Sequence, residues 1–374
     1  MESQDKKLLL MEDGVSQNLS EINIKSKHGN YPIVFGHFNF NSPSDKRSFC
    51  LVDDILKNKF EFAGSTTYYL KADEKQKNLQ SVEKVLIGLN SLGMKRQDLL
   101  SVVGGGYTQD IGTLVASIYM RGVDWVYFPT TLASMGDSCV GGKSSINAGT
   151  AKNLIGNFYP PSRVFIDVGF STSLSDLDIV AGFAEIVKIC FAKGVEEFSK
   201  AINLISLWEE SHNPDILRDL VFLSIKSKKY FVEMDEFDIG IRRLLNFGHS
   251  FGHAIEVSSQ FRIPHGVAVL IGMVAAVNHN YSITSRQTDV LVEFALNQVA
   301  KVREHIVSYL TDFDYVVFCE AILKDKKNSK SDMRLILPKR EKLEIVAIPI
   351  RENALELARD AMMRGIKVVL NEIC

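Results

Sequence analysis

What most constrains this chain is a change of hydrophobic period near residue 175. Before it, short apolar runs stop on Gly or Asp: PIVFG (32–36), SFCLVDD (48–54) and SVVGGG (101–106), with WVYFPTT (125–131) and RVFIDV (163–168) continuing the series. Between two of them, EKQKNLQSVEKVLIGLNSLG (74–93) carries apolar residues at helical spacing and closes on glycine. Strands that alternate with helices need crossover connections, so this half predicts a largely parallel sheet covered on both faces. After residue 175 helical spacing takes over, first across 176–210, then across 215–233, 243–259, 267–285, 288–309 and 352–364. Glycine becomes scarce there outside 240–272, and strand signals nearly vanish. The expected organisation is a tail at 1–20, an α/β domain at 21–175 and a mainly α-helical domain at 176–374.

Composition narrows the partner. A length of 374 residues suits two domains. Hydrophobic residues at 46% and charged residues at 24% are globular values and exclude a disordered or fibrous chain. Lys+Arg 43 against Asp+Glu 45 leaves a net charge of −2, with no basic excess to hold a nucleic-acid backbone. The longest apolar stretch, Val267 to Val277, is roughly half of a membrane span. The leucine run at residues 8–10 is too short for a signal peptide. Cys50, Cys139, Cys190, Cys319 and Cys374 are dispersed without a C-x-x-C pair, the usage of reduced thiols in a cytoplasmic protein. The expected partner is a small molecule, with no nucleic acid and no membrane.

Several segments carry chemistry. Gly104-Gly105-Gly106 lies between a strand and a helix, where a glycine turn lets backbone N–H groups approach a phosphate. The strict G-x-G-x-x-G spacing is absent, and a tight turn alone would use the same residues. GFAEIVK sets Glu185 and Lys188 on one helical face in apolar surroundings, where an unpartnered carboxylate is costly. NFGHSFGHAIE places His249 and His253 at i,i+4, and IPHGVAV adds His265. Imidazoles four apart can share a metal, and two histidines with a distant glutamate leave one tetrahedral position open, as catalytic zinc requires. The segment 137–161 gathers Asp137, Lys143, Asn147, Lys152 and Asn153 among small residues. Lysines with amides suit an anionic oxyacid or phosphate, a solvated loop being the plainer alternative. Arg121 follows a helix and Thr130-Thr131 follow a strand, both usual positions for ligand groups in an α/β sheet. The basic cluster at 324–330 reads as a solvated loop.

Taken in order, GGGYTQD (104–110), RGVDWVYFPTTL (121–132), DSCVGGK (137–143), KNLIGNFYPP (152–161), GFAEIVK (182–188), RRLLNFGHSFGHAIE (242–256) and HGVAVLIGM (265–273) resemble the dehydroquinate synthases and their relatives, the sugar phosphate cyclases. The similar stretches run from about residue 50 to 275, with DKK at 325–327 beyond them. The resemblance implies an α/β nucleotide-binding domain followed by a mainly α-helical metal-binding domain, with the active site between them. It assigns Zn2+ or Co2+ to Glu185, His249 and His265, replacing the i,i+4 pair. His253 then faces the substrate's phosphate or bridge oxygen. It assigns NAD to Asp53, Glu74, Lys77, Gly104, Gly105, Asp110, Thr130 and Thr131. Substrate and catalytic roles fall on Asp137, Lys143, Lys152, Asn153, Lys188, Lys228, Arg242, Asn246 and Lys326. Arg121 would reach a neighbouring subunit's site, which implies a homodimer.

The implied reaction oxidises a ring hydroxyl with NAD+, eliminates phosphate, returns the hydride, opens the ring and closes a carbocycle by an aldol step. Lys228 and Arg242 match the positions that grip a substrate carboxylate, which favours 3-deoxy-D-arabino-heptulosonate 7-phosphate. Three positions depart from the family pattern: Gln109 where glycine is usual, Asp238 where glutamate is usual, and Val267 where HGE is common. They keep open a cyclase acting on glucose 6-phosphate or sedoheptulose 7-phosphate. An NAD alcohol dehydrogenase of the glycerol dehydrogenase type shares the fold, but a neutral polyol needs no phosphate cradle.

Overall fold

The alternation before residue 175 produces one seven-stranded sheet. The structure is a computed structural model that describes residues 20–38, 46–59, 65–149, 151–325, 327–351 and 353–373. The expected tail therefore lies, but for Ser20, outside the described residues. The chain divides after Thr172 into two compact units. In the first, the elements are β1 (Glu21–Ile24), β2 (Tyr31–Phe35), β3 (Ser48–Asp53), β4 (Thr66–Leu70), α1 (Leu79–Ser91), β5 (Leu99–Gly104), α2 (Gly106–Ile118), β6 (Asp124–Pro129), β7 (Ile146–Ala148), β8 (Ala151–Ile155) and β9 (Arg163–Ile166).

The sheet order is β1-β2-β9-β6-β5-β3-β4, and every pairing but the antiparallel β1–β2 is parallel. β5 is buried at every position, as a central parallel strand under two helical layers must be. Val34, Cys50, Val52, Leu56, Leu99, Val103, Val126, Phe128 and Phe165 form one core across five strands and the turn after β3. Each such side chain contributes on the order of 1.5–3 kcal/mol by leaving water. The helix expected from residue 74 starts only at Leu79, because Asn78 caps it by accepting from Ser81 N–H at 3.1 Å. β7 and β8 form a separate hairpin within the polar segment after β6.

The second unit contains α3 (Asp176–Lys193), α4 (Val195–Ser211), α5 (Pro214–Met234), α6 (His249–Ser258), α7 (His265–Val277), α8 (Arg286–Lys301), α9 (Arg303–Thr311), α10 (Tyr315–Leu323), β10 (Asp332–Lys339), β11 (Lys342–Pro349) and α11 (Ala354–Ile373). α3 starts on a capping box in which Ser175 and Asp178 satisfy each other's backbone. α7 is buried from Gly266 to Val277, the central helix of this unit. Gly272 packs there without a side chain, since a Cβ would fall 2.3 Å from Gly248 O and 2.8 Å from Gly252 N.

Four helical expectations are corrected. The stretch 176–210 breaks at Gly194, whose φ of +150° suits glycine. The stretch 243–259 begins as a 3₁₀ turn at Ile241–Asn246, and α6 starts after Gly248 at φ +78°. α7 ends at Val277, short of residue 285, and 288–309 is split at Val302. The β10–β11 hairpin was absent from the expectation: it is a separate two-stranded sheet, and β11 is exposed at four of its eight positions, which dilutes its apolar signal. Among the described residues no helix is long and apolar enough to cross a membrane. The architecture is an α/β domain followed by a mainly helical domain.

Candidate active site

The carboxyl edge of the sheet brings together the first group of expected residues. Asp53 ends β3, Gly104 ends β5, and Thr130 follows β6 with its N–H donating to Gly104 O at 3.1 Å. The buried Tyr127 hydroxyl donates to the same carbonyl at 3.0 Å. Chain order reverses between β5 and β3, and such a switch point opens a ligand crevice at the carboxyl ends of parallel strands. α2 begins beside it with no side-chain cap, so its first N–H groups remain available to an anion. Gly105 and Thr131 are in close approach: a Cβ on Gly105 would lie 2.9 Å from Thr131 Cγ2. Burial pushes the Asp53 carboxyl pKa up, and its side chain accepts from Ile55 N–H at 3.3 Å.

A polar chain runs through the same unit. Lys77, 7% exposed, places Nζ 2.6 Å from Asp110 Oδ2 and 4.0 Å from Glu74 Oε1. Lys152 Nζ lies 3.8 Å from the same Glu74 oxygen. Asn147 Nδ2 donates to Glu74 O at 3.4 Å, and Asn147 Oδ1 accepts from Asn153 N–H at 2.9 Å. Burial raises the Asp110 pKa to about 6 against the opposing charge of Lys77. Lys143 stands over the Phe158 ring at 5.8 Å. Asp137 sits in a π-helical turn at Ser134–Ser138, half-buried. Glu74, Lys77, Asp110, Lys152 and Asn153 are thus connected, whereas Arg121 is exposed on the turn after α2 at φ +68°.

In the second unit Glu185 projects from α3 and is 4% exposed. Its Oε1 lies 3.4 Å from His265 Nε2 and 4.0 Å from His249 Nε2, and its Oε2 pairs with Lys188. His249 opens α6 and His265 opens α7, so the Gly272 contact between these helices sets their spacing. His249 Nδ1–H donates to Phe247 O at 3.2 Å, and His265 Nδ1–H donates to Glu256 Oε2 at 3.2 Å. Each imidazole is therefore oriented with Nε2 turned to the Glu185 carboxylate, the arrangement a divalent metal ligand requires. Candidate ligand atoms of His249, His253 and His265 also lie within 4.8 Å of one another. Burial and the charge of Lys188 hold His249 well below the usual imidazole range, and burial and His249 do the same to His253. At His265 burial opposes the charge, but Glu256 and Glu185 outweigh it and push the pKa up to about 10. Two neutral imidazoles, a carboxylate and a ring whose proton a cation can replace make a donor set that fits Zn2+ or Co2+. The carboxylate steadying His265 comes from α6, whereas Val267 is wholly buried.

The remaining expected residues lie on α5 and on the 3₁₀ turn before α6. Lys228 and Arg242 are buried, and Phe231, one helical turn past Lys228, packs with Ile189 and Leu245. Arg242 Nη1 donates to Glu236 O, and its N–H donates to Asp235 Oδ2 at 3.1 Å. Asp235 also accepts from Ile239 N–H at 3.0 Å and Gly240 N–H at 2.7 Å. Burial works against its charge, but these bonds hold the pKa below the ordinary carboxylate value. Asn246 turns its amide to Arg243 O at 3.1 Å. Lys326 lies outside the described residues. Its neighbour Lys327 pairs with Asp325 at 2.8 Å, and its charge adds to the lowering of His249 and His253.

Sequence reasoning missed Asp235, Glu256 and Lys327. Glu256 had the signal that picked out Glu185, a carboxylate on an apolar helix. Asp235, ahead of a turn closed by Gly240, had the signature of an Asp that gathers backbone N–H groups.

A parallel sheet with a topological switch point, followed by a helical unit in which two imidazoles face a buried glutamate, defines a class of proteins that join a nucleotide-binding fold to a metal centre. Models of the 3-dehydroquinate synthase N-terminal and C-terminal domains match residues 67–181 and 182–328. The 3-dehydroquinate synthase of Dictyoglomus thermophilum is 34% identical over 90% of this chain and 95% of its own length. That of Pelagibacter ubique is 33% identical over 82% of this chain and 84% of its own length. This chain belongs to the 3-dehydroquinate synthase family. Among solved structures, 2-deoxy-scyllo-inosose synthase complexed with carbaglucose-6-phosphate, NAD+ and Co2+ superposes with a TM-score of 0.76 at 20% identity, covering 92% of this chain and 100% of that one. The 2-epi-5-epi-valiolone synthase of Streptomyces hygroscopicus, with NAD+ and Zn2+ bound, gives 0.77 at 22% identity, covering 92% and 98%. At these identities the likeness establishes the fold.

Proposed function

We propose that this protein is a cytoplasmic 3-dehydroquinate synthase that converts 3-deoxy-D-arabino-heptulosonate 7-phosphate into 3-dehydroquinate and phosphate, with NAD and Zn2+ or Co2+ as cofactors. Family membership supports the reaction. The observation that carries the choice of an anionic substrate is the placement of two cationic side chains, Lys228 on α5 and Arg242 on the 3₁₀ turn, at 6% and 3% exposure in one helical unit. A lysine with a forked guanidinium matches the chemistry of a carboxylate, a group that a neutral polyol lacks.

When bound, NAD+ supplies a reversible hydride acceptor and the divalent ion a Lewis acid. Glu185, His249 and His265 would hold the ion. Asp53, Gly104, Gly105, Thr130 and Thr131 line the crevice edge that would take the dinucleotide, with Glu74, Lys77 and Asp110 beside the start of α2. Lys143, Lys152, Asn153 and Lys326 would hold phosphate, and Lys228 with the forked guanidinium of Arg242 the carboxylate. His253, kept neutral by its surroundings, can hydrogen-bond a bridging oxygen without repelling a cation. Asp137 and Asn246 would orient ring hydroxyls, and Lys188 would balance Glu185. The proposal includes a homodimer to which Arg121 contributes across the interface, in keeping with its exposure.

The test is phosphate release from a panel of the heptulosonate phosphate, glucose 6-phosphate and sedoheptulose 7-phosphate, with NAD+ and Zn2+ supplied. The expected result is release from the heptulosonate alone, no net NADH, and at least about a hundredfold loss in Arg242→Ala. Release confined to another sugar phosphate, or accumulation of NADH, overturns the proposal.

A further inference from the structure

Gln109 stands where glycine is usual in this motif, and the structure gives its side chain a place. It lies in the first turn of α2 and is 3% exposed. Its Nε2 donates to Ser138 O at 2.7 Å, and its Oε1 accepts from Ser138 Oγ at 2.5 Å. One amide therefore satisfies both the backbone and the side chain of the residue that follows Asp137. The turn it grips, Ser134–Ser138, is π-helical, wider than an α-turn and rarely stable without outside support. The entry to that turn is pinned separately. Ser134 Oγ donates to Thr131 O at 2.8 Å, and Thr131 N–H donates to Ser134 Oγ at 3.1 Å. With Thr131 fixing one end and Gln109 the other, the backbone of Asp137 is held from both sides.

We infer that Gln109 is a positioning residue that locks the Ser134–Ser138 turn and so sets where the Asp137 carboxylate meets the substrate. The inference rests on the proposed role of Asp137 and deepens it. Glycine at 109 would leave Ser138 O and Oγ to water, and the turn would sample more than one conformation. The effect belongs in turnover. The crevice glycines and Lys77 do not depend on the amide, so NAD+ binding stays nearly intact while the aspartate drifts from its productive geometry.

Two measurements separate the possibilities. The variants are Gln109→Met, which keeps the shape and removes both hydrogen bonds, and Ser138→Ala, which removes one. Amide hydrogen exchange over residues 134–140 is expected to accelerate in Gln109→Met and less in Ser138→Ala. Turnover of the heptulosonate phosphate is expected to fall about tenfold in kcat for Gln109→Met, with an intermediate fall for Ser138→Ala and NAD+ KM within about twofold of wild type. Unchanged exchange overturns the clamp. Faster exchange with unchanged kcat, or a loss confined to NAD+ KM, overturns the positioning role. If the wild-type protein turns over none of the sugar phosphates, the proposed function fails, and with it the role given to Asp137, while exchange still decides the clamp.

Discussion

Asp110 shows how single residues can tie the candidate site to pH. Its carboxyl titrates near 6 because burial disfavours the charge more than Lys77, 2.6 Å away, favours it. The sign is that of a raised acid. Protonation favours the folded protein, so this group contributes stability below its ordinary pKa of 3.8 and loses it as pH rises through about 6. Above that pH the carboxylate is charged and holds Lys77 in place. NAD+ affinity, followed by fluorescence titration, is therefore expected to fall about tenfold between pH 7.5 and 5, with a midpoint near 6. In Asp110→Asn the curve should be flat across that window, and an unchanged midpoint in this variant would assign the titration elsewhere. Asp238 has its own local reason to depart from glutamate: it sits at φ +59°, a left-handed conformation that aspartate tolerates better than longer side chains.

At the scale of elements, the contact between α6 and α7 sets the spacing of the proposed metal ligands. Gly272→Ala would press a methyl group onto the backbone at Gly248 and Gly252, where no side chain can swing aside. Overpacking of this kind costs about 1–3 kcal/mol or more, and the helices that begin at His249 and His265 would separate to relieve it. The expected outcome is a lower urea midpoint together with at least about tenfold weaker Zn2+ binding by competition. A variant that loses stability but binds Zn2+ normally would uncouple the crossing from the ligands. This coupling was not legible in the sequence, where α7 shows only as an apolar run. The histidines themselves were legible, and so were the strand-closing glycines and the polar segment after β6, because each breaks a local pattern. What stayed hidden depends on how the chain folds back over a few residues, which no periodic pattern marks: Glu256 reaching His265, Asp235 gathering the turn before Arg242, and β10 pairing with β11.

For the whole molecule, the division after Thr172 makes the effect of metal removal specific. The proposed ligands on α3, α6 and α7 belong to one unit, so a bound ion would stabilise that unit by mass action. Chelation is expected to speed amide exchange across 176–277 while exchange in β5, β6 and β9 stays as before, and a uniform rise along the chain would refute it. Proteins that share this fold at about 20% identity keep a TM-score of 0.76, so most side chains have changed while the frame has not. In this chain Gly272 against the backbone of Gly248 fixes one part of that frame. Where peptide meets peptide, the separation of two helices does not depend on which side chains surround them. Tolerance for change along α7 should then narrow to its glycines, and mutational scanning of the helix should find its most intolerant position at Gly272, where a Cβ would meet only backbone.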